Sequence, residues 1–232
     1  MLSSVSSATL LGVVGHSVTV EAHTSDGLPG YTVVGLPDTS CRESRDRVRS
    51  ALLSSEHPWP DRRMTINLAP TRLRKVGAGL DLALAIALLV AEEIVPAAAT
   101  EGLAFVGELG LDGSIRPVPG MLPLAEACEG RPVVALHSVP EARLCGSGAL
   151  GVRTLAEVVA CLRGLGSWPD PPESPAEKPR TPEPDLAEVR GQPFARAALE
   201  VAAAGGHHLL MSGPPGAGKT MLAQRLPGLL PD

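Results

Sequence analysis

HHLLMSGPPGAGKTMLAQRL, residues 207–226, holds the spacing GxxxxGK[ST] at Gly213-Pro214-Pro215-Gly216-Ala217-Gly218-Lys219-Thr220. The chemistry behind that spacing is specific. Glycines let the backbone curl until successive N–H groups face one phosphate. A helix that starts at the end of the loop adds its own unpaired donors. Lys219 is then expected to reach the β- and γ-phosphates, and Thr220 to ligate Mg²⁺ through its hydroxyl. The flanks suit this reading. His208–Ser212 is expected as the strand entering the loop, and Lys219–Leu226 as the helix leaving it. An ordinary glycine turn is the plain alternative, and correct flanks on both sides argue against it.

Binding is not turnover. Phosphoryl transfer also needs an acid to hold Mg²⁺, a residue to orient water and often a neighbour's arginine. Only 12 residues follow Thr220, with no later strand ending in paired acids. The expectation is a fragment or truncated product of an ATPase rather than a complete one, with no catalytic residue assigned.

Upstream lies a sharp compositional break. WPDPPESPAEKPRTPEPD, residues 168–185, carries seven of the chain's 23 prolines. A segment so poor in backbone donors and apolar side chains is expected to be an extended linker. The expected division is a domain over residues 1–166, a linker over 167–184 and the start of a second domain over 185–232. The first part mixes periods in the manner of an α/β domain. Strands are expected at Ser17–Glu21, Tyr31–Val34, Met64–Leu68, Phe105–Leu109, Ser114–Val118 and Pro132–Leu136. Leu111-Asp112-Gly113 reads as a hairpin turn. Helices are expected from a cap at Thr39 or Ser40 to about Leu53, near Leu122–Cys128, near Glu141, and over Leu155–Leu162. Another runs over Leu82–Glu92, apolar all round and therefore buried, with Asp81 as its cap.

Charge and cysteine usage narrow the function classes. The 232 residues carry a formal net charge of −5 and only 2% aromatics, which excludes a globally basic nucleic-acid binder and a base-stacking platform. Locally the balance inverts. Arg42, Arg45, Arg47, Arg49, Arg62, Arg63, Arg72, Arg74 and Lys75 face only Glu43, Asp46, Glu56 and Asp61, a net +5. That segment is either a solvated face or a basic surface for DNA or a partner. Cys41, Cys128, Cys145 and Cys161 form no CxxC pair, so free, mostly buried thiols in a reducing, cytoplasmic setting are expected. The N-terminus lacks a basic region before its apolar run, and Leu82–Val90 is too short to cross a bilayer, so no membrane partner is expected.

Other candidate sites are less specific. Lys75 and Asp81 lie six apart, and either suits a site. Glu108 with Asp112 suits a cation, though turn residues are the simpler reading. His207 and His208 are adjacent and diverge in an extended segment, which disfavours a shared metal. Cys41 beside Arg42 suits a lowered thiol pKa, but no base stands at a defined spacing.

Taken together the motifs resemble the bacterial YifB/ComM family of magnesium-chelatase-like AAA+ ATPases. The matching stretches are Gly35-Leu36-Pro37-Asp38, Glu43-Ser44-Arg45, Asn67-Leu68-Ala69-Pro70, Leu73-Arg74-Lys75, Gly107-Glu108-Leu109 through Leu111-Asp112-Gly113, and Arg116-Pro117-Val118. In the second part they are Asp185-Leu186, Val189-Arg190-Gly191-Gln192, and Ala203 to His208 running into the loop. The resemblance implies a first domain of the Lon-protease C-terminal, ribosomal-S5-domain-2-like type. Gly79 stands where such peptidases place the serine and Leu122 near the lysine, so the implied domain is not a peptidase. It also implies that Val189, Gly191 and Gln192 lie near adenine, and that Gly213–Thr220 hold the phosphates of ATP with Mg²⁺. For an intact chain it implies a homo-hexameric ring, and for some members DNA branch migration in natural transformation. The Walker B acids, sensor, arginine finger and helical lid would lie beyond Asp232. Porphyrin metalation is disfavoured, because the N-terminal domain marks the other branch. The alternative reading is an interaction or assembly module with a vestigial nucleotide segment.

Overall fold

The computed structural model describes residues 1–170 and 184–230. The chain divides into two compact units, Met1–Ser174 and Pro175–Asp232. The central part of the expected linker, residues 171–183, lies outside the described residues, as does the side chain of Arg42.

The first unit is built on a seven-stranded mixed sheet in the order β3-β4-β2-β1-β5-β8-β9. Strand β1 (Leu2–Leu11) turns through Gly12-Val13, with Gly12 at φ 61°, into β2 (Val14–Ser25), and β2 pairs antiparallel with β4 (Arg63–Ala69). The edge strand β3 (Gly30–Val34) runs parallel to β4. On the other side β5 (Leu103–Val106), β8 (Arg131–Ala135) and β9 (Leu150–Val152) continue in parallel from β1. The expected turn at Leu111–Gly113 joins a two-residue antiparallel pair, β6 (Glu108–Leu109) and β7 (Ile115–Arg116). The run expected as one strand over Phe105–Leu109 breaks at Gly107, which leaves the main sheet to enter this ribbon.

Helix α2 (Asp81–Ala91) is buried along its whole length, as an all-apolar helix requires. Together with α1 (Thr39–Ser54) and α5 (Leu155–Leu162) it packs with Val18, Val20, Ile66, Leu68, Phe105 and Val133 in the main core. The opposite face carries a smaller core. There α3 (Met121–Ala127) and α4 (Val139–Arg143) pack against Ala8, Val106 and Val134. In the remaining part of that face Thr32 and His23 are exposed, while Glu21, Thr65 and Asn67 are half-buried.

Two local expectations are corrected. Helix α1 is capped by Asp38, whose Oδ1 accepts from Cys41 N–H at 2.8 Å, and not by Thr39 or Ser40. Asp81 does not cap α2; it is the first helical residue, and its carboxylate is committed elsewhere. β1 and β9 lay outside the expected strands. In β1 the inward positions are Ser3, Val5, Ser7 and Thr9, so the usual apolar alternation is absent. Their hydroxyls are satisfied internally: Ser3 Oγ donates to Ala87 O and Ser7 Oγ to Phe105 O, each at 2.7 Å.

The second unit comprises a single 3₁₀ turn at Leu186–Glu188, α6 (Pro193–Gly205), α7 (Lys219–Ala223) and a further 3₁₀ turn at Pro227–Leu229. Its core is small: Leu186, Val189, Leu199 and Leu222, with Ala195, Met211, Leu226 and Leu229 against them.

Candidate nucleotide site and the buried polar cluster

The loop Gly213–Thr220 connects an irregular segment to α7. The expected strand at His208–Ser212 is not formed: 207–214 carries no regular secondary structure and has no ladder partner among the described residues. Strand character needs a neighbour to pair with. Its Leu210 is 93% exposed, while Met211 packs on the small core. The helix expected to Leu226 ends at Ala223. Arg225 N–H and Leu226 N–H bond to the carbonyls of Leu222 and Ala223, three residues back, and Pro227 bars a further turn.

The loop's geometry suits an oxyanion. Gly216 and Gly218 both sit at φ 80°, a left-handed conformation that a side chain disfavours. The N–H groups of Gly216, Gly218, Lys219 and Thr220 take no backbone acceptor among the described residues. Lys219 Nζ donates to the loop's own carbonyls, Gly213 O at 2.8 Å and Pro214 O at 2.9 Å, so its ammonium lies over the loop. Pro214, Pro215 and Gly216 are exposed, and Ala217 is half-buried. Thr220 is exposed at the start of α7. Beside the loop is a cleft of about 320 Å³ lined by Gln192, Phe194, Leu209, Ser212, Ala217 and Lys219, among others. Triphosphate chemistry fits this donor set, and Thr220 is the hydroxyl that would hold Mg²⁺ together with phosphate oxygens. Among the described residues no group of three or more His, Cys, Asp or Glu is placed to hold a metal.

The segment expected near adenine lies against the same loop. Val189 is buried in the small core, and Gly191 and Gln192 take left-handed backbone at φ 73° and 55° just before α6. Gln192 Nε2 donates to Ala217 O at 3.4 Å, and Arg196 reaches Val189 O at 3.3 Å. Sequence reasoning missed Arg225. Its guanidinium donates to Asp185 O, Met221 O and Glu188 Oε2 at 3.1, 2.8 and 2.8 Å.

In the first unit the candidate residues separate. Arg47 pairs with Asp81 through Nε at 2.6 Å and Nη2 at 3.0 Å, and Asp81 also accepts from Leu109 N–H. Burial pushes the Asp81 carboxyl up to about 6 despite that partner. Lys75 is fully buried with its ammonium on Pro70 O, and burial lowers its pKa. Lys75 and Asp81 therefore form no joint site. The basic segment is split as well. Lys75 and Arg47 turn inward, whereas Arg45, Arg49, Arg62, Arg63, Arg72 and Arg74 are exposed.

The lowered thiol pKa expected for Cys41 is also corrected. Burial and the neighbouring Asp38 raise it to about 12, and its Sγ donates to Gly77 O at 3.3 Å. All four cysteines are free, but only Cys41 is fully buried and Cys145 is exposed. Glu108 faces Arg116 at 3.6 Å, while Asp112 accepts from Ser114 within the turn, so the two acids are engaged separately. Gly79 donates no side chain to its surroundings, and its carbonyl accepts from Gly107 N–H; Leu122 N–H donates to Glu141. No described helix is long and apolar enough to cross a membrane.

An α/β first unit followed by a glycine loop under a helix defines a chain with a P-loop-type, AAA+-like architecture. Family models agree: one described as subunit ChlI of Mg-chelatase matches residues 20–136, and one described as magnesium chelatase, subunit ChlI, matches 185–232. YifB of Escherichia coli is 47% identical over 235 residues, spanning 100% of this chain and 46% of the relative. The competence protein ComM of Haemophilus influenzae is 41% identical over 239 residues, spanning 100% and 47%. A Mycobacterium tuberculosis protein is 47% identical over 237 residues, spanning 97% and 46%. The chain belongs to the YifB/ComM family of magnesium-chelatase-like AAA+ proteins. It spans about half the length of the curated relatives it matches.

Proposed function

We propose that this chain binds ATP with Mg²⁺ through residues 185–232. Gly213, Pro214, Pro215, Gly216, Ala217, Gly218 and Lys219 hold the phosphates, Thr220 holds the metal, and Val189, Gly191 and Gln192 flank the base. The observation that carries the reading is the Lys219 ammonium over the loop, 2.8 and 2.9 Å from two loop carbonyls, beside N–H groups without backbone acceptors. From there a small rotation transfers it to phosphate oxygens, a stronger charge-assisted partner. The activity proposed for this stretch is nucleotide binding.

Residues 1–166 are read as a Lon-protease-like domain of the ribosomal-S5-domain-2 type without peptidase chemistry, since glycine at 79 and leucine at 122 offer neither nucleophile nor base. Residues 167–184 then serve as the linker. For whole family members the proposal extends to a homo-hexameric ring, acting in the cytoplasm on DNA. The printed name of the Haemophilus relative, a competence protein, supports that direction. The DNA contact is assigned to the exposed arginines 45, 49, 62, 63, 72 and 74.

Titration of the chain with a fluorescent ATP analogue tests the first part. Saturable binding that Lys219→Ala abolishes is expected. Absence of binding by a folded chain overturns it, leaving an interaction module with a vestigial loop. Salt-dependent binding to forked DNA, weakened by neutralising Arg45 and Arg49 or Arg62 and Arg63, tests the second; unchanged binding rejects it.

A further inference from the structure

We propose that Arg225 is a positioning residue that ties the base-side segment to the phosphate loop, an inference that rests on the nucleotide reading above. Arg225 lies just past α7, the helix that begins at Lys219. Its side chain is only 13% exposed and makes three contacts on two segments. Nη1 donates to Met221 O, within the helix that follows the loop. Nε donates to Asp185 O and Nη2 to Glu188 Oε2, at either end of the 3₁₀ turn that leads to Val189. One planar guanidinium thus spans 37 to 40 residues of sequence.

The chemistry favours arginine for this task. Its fork of donors is rigid, so few torsions are lost in reaching three acceptors at once, whereas a lysine ammonium is a single point on a flexible stem. The tie matters because the unit's apolar core is small, four buried side chains with four partly buried ones. Leu186 and Val189 anchor the turn in that core, and Arg225 holds its polar side through Asp185 O and Glu188. The second link between the two sides, Gln192 Nε2 to Ala217 O, is a long 3.4 Å bond. Arg225 therefore fixes the distance between the residues assigned to adenine and those assigned to phosphate. A ligand that touches both sides depends on it, and a ligand that touches only the loop does not.

The test uses the full chain, a fluorescent ATP analogue with Mg²⁺, and competition by ATP or by inorganic tripolyphosphate. Arg225→Ala is expected to weaken ATP about tenfold, the scale of a lost charge-assisted contact, and to leave tripolyphosphate within about twofold. Arg225→Lys should recover only part of the ATP affinity. Glu188→Gln should stay close to wild type, because the two carbonyl contacts remain. Unchanged ATP binding in Arg225→Ala, or equal losses for ATP and tripolyphosphate, overturns the proposal. Full rescue by lysine also overturns it, as the fork would then be unnecessary. Should Arg225→Ala unfold, as read by far-ultraviolet circular dichroism, the lysine variant decides: selective loss of ATP supports the tie, and no loss rejects it. Wild-type chain that binds neither ligand in a Lys219-dependent way refutes the nucleotide reading itself.

Discussion

Arg47 grips Asp81 with two donors, at 2.6 and 3.0 Å, on a carboxylate that is 1% exposed. The same guanidinium bonds Ser40 O, so the pair pins the start of α1 to the start of α2. Its acid is held above its ordinary range because burial outweighs the arginine.

The first prediction concerns pH. A folded carboxyl raised to about 6, against 3.8 in the unfolded chain, contributes stability that is fully present below pH 4. That contribution is lost as pH rises through 6. Urea unfolding of wild type and Asp81→Asn should therefore diverge with pH. The stability of wild type relative to the variant should fall by roughly 2 kcal/mol between pH 4 and pH 7. A constant difference would reject the raised acid.

Gly15 tests the packing of the small core. A Cβ there would enter the van der Waals radius of Pro123 O and lie 2.9 Å from Ala127 Cβ. Helix α3 would have to lift from β2. Gly15→Ala is expected to cost about 3 kcal/mol in equilibrium unfolding, with Gly12→Ala, whose surroundings are open, costing less.

Thiol chemistry separates the cysteines. Cys145 is exposed, while Cys41 is buried with its thiol pushed up to about 12. A chromogenic disulfide reagent at pH 8 should label Cys145 first and Cys41 only on unfolding. The variant Cys145→Ser should lose the fastest phase.

Thr220→Val tests the metal role within the proposed site. The swap keeps the shape and removes the hydroxyl. Metal-free affinity for the ATP analogue should hold within about twofold while enhancement by Mg²⁺ disappears. Retained enhancement would exclude Thr220 as ligand.

What could be read directly from the chain was whatever depends on local spacing. The run Leu82–Val90 announced a buried helix because no polar face interrupts it, and Leu111-Asp112-Gly113 announced a turn. Gly213–Thr220 announced a phosphate loop because its chemistry sits in eight consecutive residues. The strand β1 was hidden because its inward serines and Thr9 are satisfied by groups up to 98 residues away. The segment 207–214 misled for the opposite reason: its own pattern suits a strand, but a ladder requires a neighbour.

The sequence by itself determined the residue types available to the nucleotide loop and the family they mark. Tertiary structure alone decided which charges are free. Lys75 and Arg47 looked like members of one basic run, yet folding carries one into the core and the other onto Asp81. Arg225 carried no signal in sequence, because its acceptors at Asp185 and Glu188 come from a segment some 40 residues earlier. Charge along a chain is additive, but desolvation and pairing depend on which segments meet, and only the fold brings them together.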